Sequence, residues 1–454
     1  MTKQQPRRQA RLTIVDDLAF LPTVQTFIES TALAFGLGQT EALALTLAGE
    51  EIFNYLCTHV KPGAEVEISG YEGGYYAALN FILPIRNLAM RSFNLTATIN
   101  IDDENSLDEM GLLLASRMVD QLQINQNNNG RLQLLLRKEK SYPKTAITDR
   151  APFTPPTDNF STVTPDAEEL KFFISESHHY TSPELLPLEF YYPGKIVDMV
   201  KAGDYRAAIV RDSAGRIGGG IIWYWSSTKM VECYGPFILA DDTTPSISPE
   251  LHQTMAEALL EHCLNAIARS PAVGLLNRSP NPNLPQHHFE TLGTVLEYHN
   301  TTPPTETPTL FRQMQEDPGA IAWIDPDFEP FLRSEYQRLT LPRKIRLTSD
   351  SGETRAEFSV LATEFDRARQ KVTLRPLWAG NDMVKNIADH LTLFTREGLA
   401  NIFFIIDLGQ SWQATFTPAL RENGFSPRLL LPHGGKGDLL ILQKTEPQKT
   451  ESVS

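Results

Sequence analysis

A chain of 454 residues is too long for one ordinary hydrophobic core, so two or three domains are expected. Its 41 basic against 55 acidic residues give a net charge of −14, which argues against a nucleic-acid-binding surface. No run reaches the roughly 18 apolar residues of a membrane span, and Cys57, Cys233 and Cys263 form no CxxC and no disulfide framework. The opening MTKQQPRRQA leads into no apolar signal core, so a cytoplasmic protein without membrane contact is expected.

In chain order, RLTIVDD reads as a short strand. Val24, Phe27, Ile28, Ala32 and Phe35 then recur at helical spacing, and Gly36 and Gly38 end that helix. A second helix runs from Thr40 to about His59. The stretches EVEISGY, YYAALNFILPI and LTATINI read as strands, and a third helix begins near Ser106. QLQI, an Asn129-Gly130 turn and RLQLLLRKE form a hairpin signal. This order describes an α/β sandwich with helices on one face of a mixed sheet.

Two passages, LTLAGEEIFNYLCTHV and MGLLLASRMVDQLQINQNNNGRLQLLLRKEK, resemble the anti-sigma-factor (RsbW-type) branch of the GHKL ATPases, over about 130 residues. The resemblance implies a nucleotide fold in which Asn54 holds Mg²⁺ with ATP, Glu50 activates a hydroxyl or water, and Gly111 belongs to the phosphate loop. It also implies a protein partner and, in its active form, a serine kinase of an antagonist. Glu50 and Asn54 are i and i+4 on one helix face, which an ordinary solvated face would also show. The sequence departs from the family where an adenine-binding Asp is expected, in LNFILPIRNLAMRSFNL, and where a Gly-rich loop is expected, in DENSLDEMGLLL. A degenerate module that keeps the fold and binds a partner is the expectation.

A Pro/Thr-rich linker over 141–165 separates residues 1–140 from a second segment, 166–300. There a helix at AEELKFFISESHHY precedes strands in YRAAIVRDSAGRIGGGIIWYWSS and VECYGPFIL, the amphipathic helix HQTMAEALLEHCLNAIARS, the strand VGLLN, a short helix at HHFETLG and the strand VLEYHN. AAIVRDSAGRIGGGIIW and HFETLGTVLEY resemble passages of the GNAT family of N-acetyltransferases. The resemblance implies acetyl-CoA as cofactor, Glu232 as general base and Tyr298 as the acid that protonates the thiolate; a strand-surface Glu and a sheet-packing Tyr are the structural alternatives. The loop that should cradle the CoA diphosphate, ADDTTPSISPELHQ, has no glycine, has Pro245 and Pro249, and carries Asp241 and Asp242. After a second linker at 301–309, residues 310–445 follow a similar plan, with ALRENGFSP again like a GNAT ending, and 446–454 form a polar tail. A tandem GNAT-like pair of mixed-sheet domains is expected.

The pairs His178-His179 and His287-His288 would point their rings apart on one helix and so make poor metal sites. Trp223 and Trp225 share a strand face, either lining a groove or covering helices. Asp407, at a strand's carboxyl end, is a ligand-site candidate or a helix N-cap. GKGD at 435–438 is too short for a P-loop. Two functions follow: a regulatory protein whose modules bind a partner and a ligand, or an acyl-CoA-dependent N-acyltransferase regulated by its N-terminal module.

Overall fold

A computed structural model describes residues 8–59, 63–83, 88–98, 109–126, 131–145, 156, 159–240, 247–298, 303–349, 352, 354–367 and 369–445. Three sheets of five strands or more organise them. None of the described helices is long and apolar enough to cross a membrane.

The first sheet is antiparallel, in the order β1 (Gln9–Val15), β2 (Glu65–Glu72), β3 (Tyr76–Leu83), β5 (Leu132–Glu139) and β4 (Gln121–Gln126). Helix α1 (Leu21–Ala34) ends at a turn with Gly36 at φ 87°, and α2 (Gln39–His59) follows. Leu45, Ala48, Ile52 and Leu56 form the buried stripe of α2, at the spacing that puts apolar side chains on one helix face. Helix α3 (Met110–Met118) packs beside it. The segment read as the strand LTATINI is a turn over 95–98, and its remainder lies outside the described residues. Tertiary contact overrides the alternating pattern there. Buried Asn94 donates to Ser359 O at 2.7 Å and accepts from Leu361 N and Asn386 Nδ2, while Leu95 packs on the C-terminal core.

The second sheet has seven strands in the order β11 (Glu290–Glu297), β12 (Thr305–Gln313), β10 (Gly274–Asn277), β9 (Met230–Ile238), β8 (Ile217–Trp225), β7 (Tyr205–Asp212) and β6 (Phe160–Val163). Only β9 and β10 are parallel, pairing at Met230–Glu232 with Gly274–Leu276 before they separate. Helices α4 (Ala167–Tyr180) and α5 (Pro193–Ala202) cover one face, and α6 (Pro249–Ile267) covers the other. The sheet therefore begins inside the segment read as the 141–165 linker, and Thr305–Thr309, read as a linker, belongs to β12. The passage HHFETLG is not an α-helix. Gln286–His288 make one 3-10 turn, and β11 then runs through Leu292-Gly293 with a bulge that absorbs the glycine. β-Branched Thr291, Thr294 and Val295 favour the strand.

The third sheet has the order β15 (Val360–Asp366), β16 (Lys371–Trp378), β17 (Asn401–Asp407), β19 (Leu439–Lys444) and β18 (Phe425–Leu431). Its plan repeats β8 to β12: an antiparallel pair, a crossover helix, one parallel strand, then two strands of which the later is inserted. Here the crossover is α8 (Met383–Arg396), and β16 and β17 are parallel only at Lys371–Leu374. The short α9 (Ser411–Ala414) and α10 (Thr417–Glu422) precede β18. PRKIRLTS does not join this sheet. It forms β14 (Arg343–Leu347), which pairs in parallel with β13 (Ala320–Ile324), with α7 (Glu329–Arg338) between them.

The two repeats meet through one apolar layer, Leu276, Leu292 and Phe311 against Phe403, Leu429 and Ile441. Two buried side-chain amides continue the ladder on the open edge of β11. Gln443 accepts from Leu296 N at 3.1 Å and donates to Leu296 O at 2.5 Å. Asn401 accepts from Tyr298 N at 2.7 Å and donates to Tyr298 O at 3.1 Å. Residues 296 and 298 are the alternate positions whose N–H and C=O point to one side of a strand.

A buried charge cluster fixes β14. Arg343 bridges Asp317 and Asp438, and His433 Nε2 lies 2.9 Å from Asp317 Oδ1. Burial pushes the Asp317 carboxyl up, but hydrogen bonds from Arg343 and His433 outweigh it and bring the group down to about 2. A depressed carboxyl stabilises the fold fully above its unfolded value near 3.9, and the gain is lost as pH falls through 2. Chemical denaturation between pH 6 and pH 2 should show Asp317→Asn losing about 2 kcal/mol at pH 6, with the difference closing towards pH 2. A constant difference would place the effect elsewhere. Asn401→Ala should also destabilise by about 1 kcal/mol, because it leaves half-buried Tyr298 backbone groups without their partner. Hydrogen exchange should then accelerate at the Tyr298 amide, and unchanged exchange would count against the edge role.

Candidate functional site

Where β9 and β10 separate, side chains bridge the gap on both faces of the sheet. On the α6 face Asn277 donates to Gly235 O at 3.2 Å, and Asn281 donates to Pro236 O at 2.8 Å. On the opposite face Arg278 Nε donates to Glu232 Oε1 at 2.8 Å. Glu232 is 2% exposed, so it is not a solvent-facing strand residue. The Glu232 charge overcomes burial and holds the Arg278 guanidinium above its ordinary value.

This face opens on a cavity of about 210 Å³ between the two repeats. Glu189, Glu232, Tyr234 and Arg278 line it from the middle unit, and Asp366, Arg369, Lys371 and Thr373 from the C-terminal unit. Arg369 pairs with Asp366 at 3.4 Å and donates to Glu184 O at 2.6 Å, holding the α4–α5 connection against β15. The Lys371 ammonium lies over the Phe403 ring at 4.9 Å and has no hydrogen bond or ion pair among the described residues. Burial, aided by Arg278 and Arg369, brings the Lys371 amine down to about 8, against the pull of Glu297 and Asp366. Burial also pushes the Tyr234 phenol up, with Glu232 adding to it, so that group stays protonated.

Tyr298 does not line this cavity. It follows β11, and its backbone is taken by Asn401. In the N-terminal unit Glu50 and Asn54 both lie on α2, the first half-buried and the second exposed. Gly111 packs on Glu51: a Cβ there would sit 2.4 Å from Glu51 Oε2. Burial and Glu50 push the Glu51 carboxyl up. A carboxyl therefore fills the start of α3, where the family resemblance would place phosphate, so the described residues do not fit ATP–Mg²⁺. Of the acidic stretch Asp102 to Glu109, residues 102–108 lie outside the described residues, and Glu109 accepts from Ser92 Oγ at 3.0 Å.

CoA fares no better at either crossover helix. At α6, Pro249 has no N–H, Ser248 already accepts from Leu251 N, and Glu250 puts an acid in the first turn. Asp241, Asp242 and Pro245 lie outside the described residues. At α8, Asp382 is engaged with Ser359 N and Oγ, and a Cβ on Gly380 would meet Phe358 C at 2.2 Å. The described residues at these helix starts provide no diphosphate cradle.

The histidine reading is corrected at 287–288. In the 3-10 turn the two rings come together, centroids 4.2 Å apart, around Glu257. Arg312 Nη1 can only donate, so His288 Nδ1 accepts from it at 2.9 Å and Nε2 carries the proton given to Glu257 at 3.0 Å. That proton occupies the lone pair a metal would need, so the group is a hydrogen-bond chain. Trp223 is buried against α6 beside His262, whereas Trp225 is exposed, so the two make no groove. Asp407 is not a helix N-cap. It accepts from Gly409 N, Lys436 N and Gly437 N, and so closes the GKGD loop.

Arg278, Lys371, Arg369 and Glu189 are not marked in the sequence by any motif. Strand alternation in KVTLRPLW is the only signal for Lys371, and it does not say that a second unit faces the strand.

No family model and no curated protein matches this sequence. Solved structures do resemble part of it. A putative acetyltransferase from Salmonella typhimurium with acetyl-CoA is 10% identical, covers 35% of this chain and 96% of its own, with a TM-score of 0.29. An aminoglycoside 6'-acetyltransferase type Ii is 11% identical, with 35% and 99% covered and a TM-score of 0.27. A GNAT phosphinothricin acetyltransferase from Sinorhizobium meliloti with acetyl-CoA is 11% identical, with 35% and 90% covered and a TM-score of 0.26. At these scores the likeness carries no argument about chemistry. What this chain itself shows is a mixed α/β architecture built on mixed and antiparallel sheets.

An unpaired buried ammonium costs stability while it stays charged. Its folded value lies below the unfolded one, so the cost is complete below pH 8 and disappears above about pH 10. Lys371→Met should therefore stabilise the chain at pH 7 by about 1–2 kcal/mol, allowing for water at the cavity. Denaturant midpoints at pH 7 and pH 10 check this, with the gain shrinking at the higher pH.

Proposed function

We propose that the two repeats form an acetyltransferase-shaped binding unit whose ligand sits between them, in a protein whose N-terminal unit engages a partner protein. The observation that carries this is the cavity lined by both repeats, with charged side chains inside it and no diphosphate cradle at the described start of either crossover helix. The N-terminal part of the proposal rests on the RsbW-type passages and on a fold of helices against one antiparallel sheet. Loss of ATP chemistry with retention of a binding surface suits Glu51 at the start of α3.

A second reading, acyl-CoA-dependent N-acyl transfer, is favoured by Glu232, which reaches the same cavity as a carboxylate. A carboxylate there is placed to accept a proton from a bound amine, 2.8 Å from the Arg278 Nε that donates to it. Calorimetric titration of the full chain with acetyl-CoA separates the two readings. No saturation at 100 µM is the result expected of a binding unit. Low-micromolar binding, with acetyl transfer to an amine that is lost in Glu232→Gln, would replace it with the enzyme.

A further inference from the structure

Among the ionisable groups of the cavity, two ion pairs neutralise themselves: Glu232 with Arg278, and Asp366 with Arg369. Lys371 from the C-terminal unit and Glu189 from the middle unit remain without an ion-pair partner among the described residues. One unpaired cation and one unpaired anion, contributed by opposite units, line one partly open cavity. Between the charged groups the lining is apolar, with Val295, Ile405, Leu429 and Ile441. The volume of about 210 Å³ holds about seven waters at 30 Å³ each, well short of a drug-sized site.

We infer that the cavity takes a small zwitterion of the amino-acid class, its carboxylate on Lys371 and its ammonium on Glu189, with a short apolar stem between. A ligand with only one charge would leave the other half-buried side chain without a partner. A ligand with both satisfies each side chain without disturbing the two existing pairs. Because Lys371 and Glu189 come from different units, occupancy would also tie the repeats together. The inference rests on the ligand-site reading of this cavity. It needs no CoA, so it survives whichever way the acetyl-CoA titration falls.

The test is calorimetry on the full chain, without any acyl-CoA, using the twenty protein amino acids and 4-aminobutyrate. Each compound that binds is compared with its matched amine and its matched carboxylate. At least one zwitterion should bind saturably, and at least about tenfold more tightly than either single-charge analogue. Lys371→Gln should bring that zwitterion down to the level of the amine, and Glu189→Gln to that of the carboxylate. Circular dichroism and thermal midpoints establish that both variants fold. Failure of every zwitterion to bind would overturn the inference. So would an amine or carboxylate that binds as tightly as its zwitterion, or an unchanged affinity in folded Lys371→Gln. Zwitterion binding without acetyl-CoA binding upholds both the inference and the binding unit. Zwitterion binding together with acetyl-CoA binding and transfer upholds the inference and overturns only the binding-unit reading.

Discussion

The open edge of β11 is the constraint on which the arrangement of the larger part of the chain depends. A strand edge with free N–H and C=O groups must be paired, covered or solvated. Here it is covered by side-chain amides, Gln443 from β19 and Asn401 from β17, each both donating and accepting. Apolar packing alone tolerates sliding, but reciprocal amide pairs at residues 296 and 298 do not. They fix the register of one sheet against the other. Asn401 also donates to Arg369 O, so the same amide holds the segment that carries Arg369 and leads to Lys371.

That docking decides what the cavity contains. Lys371 and Phe403 come from the stretch where β16 and β17 are parallel, whereas Glu232 ends the parallel stretch of β9 and β10 and Arg278 lies just past β10. Each repeat diverges after a short parallel stretch, and the cavity lies where the divergence of β9 and β10 faces the parallel stretch of β16 and β17. The arrangement has an electrostatic consequence. Arg278 of the middle unit adds to burial in lowering the basicity of Lys371 in the C-terminal unit. Such groups reduce stability in the free protein and supply affinity when a complementary charge arrives.

The N-terminal unit is joined by a different device. Asn94 places one buried amide among Ser359, Leu361 and Asn386, so the β3–α3 connection of the first unit is pinned to the start of β15 and to α8. The same contact closes off the start of α8 from anions, because Asn386 and Asp382 both turn towards Ser359. Attachment of the first unit and loss of a cradle in the third thus share residues.

Much of the local structure was legible in the sequence. Helical periodicity marks α1, α2, α6 and α8, and Asn423-Gly424 marks the end of α10, with Gly424 at φ 72°. These features depend on residues a few positions apart, so the chain text contains them. The proline and threonine run at 301–309 misled because β12 is an inserted strand, held by partners on β10 and β11. HHFETLG misled because the helix-like text is overruled by pairing with β12. The site was less legible still. Glu232 stands out by its place on a strand, but whether it meets solvent, Arg278 or a cavity depends on residues 46 positions away and on a second unit. Sequence alone settled the long periodic helices and several strands, together with the charge balance and the lack of a membrane-length apolar run. Only the tertiary structure decided that two repeats line one cavity. Burial, pairing and loss of water there arise between surfaces that the sequence lists far apart.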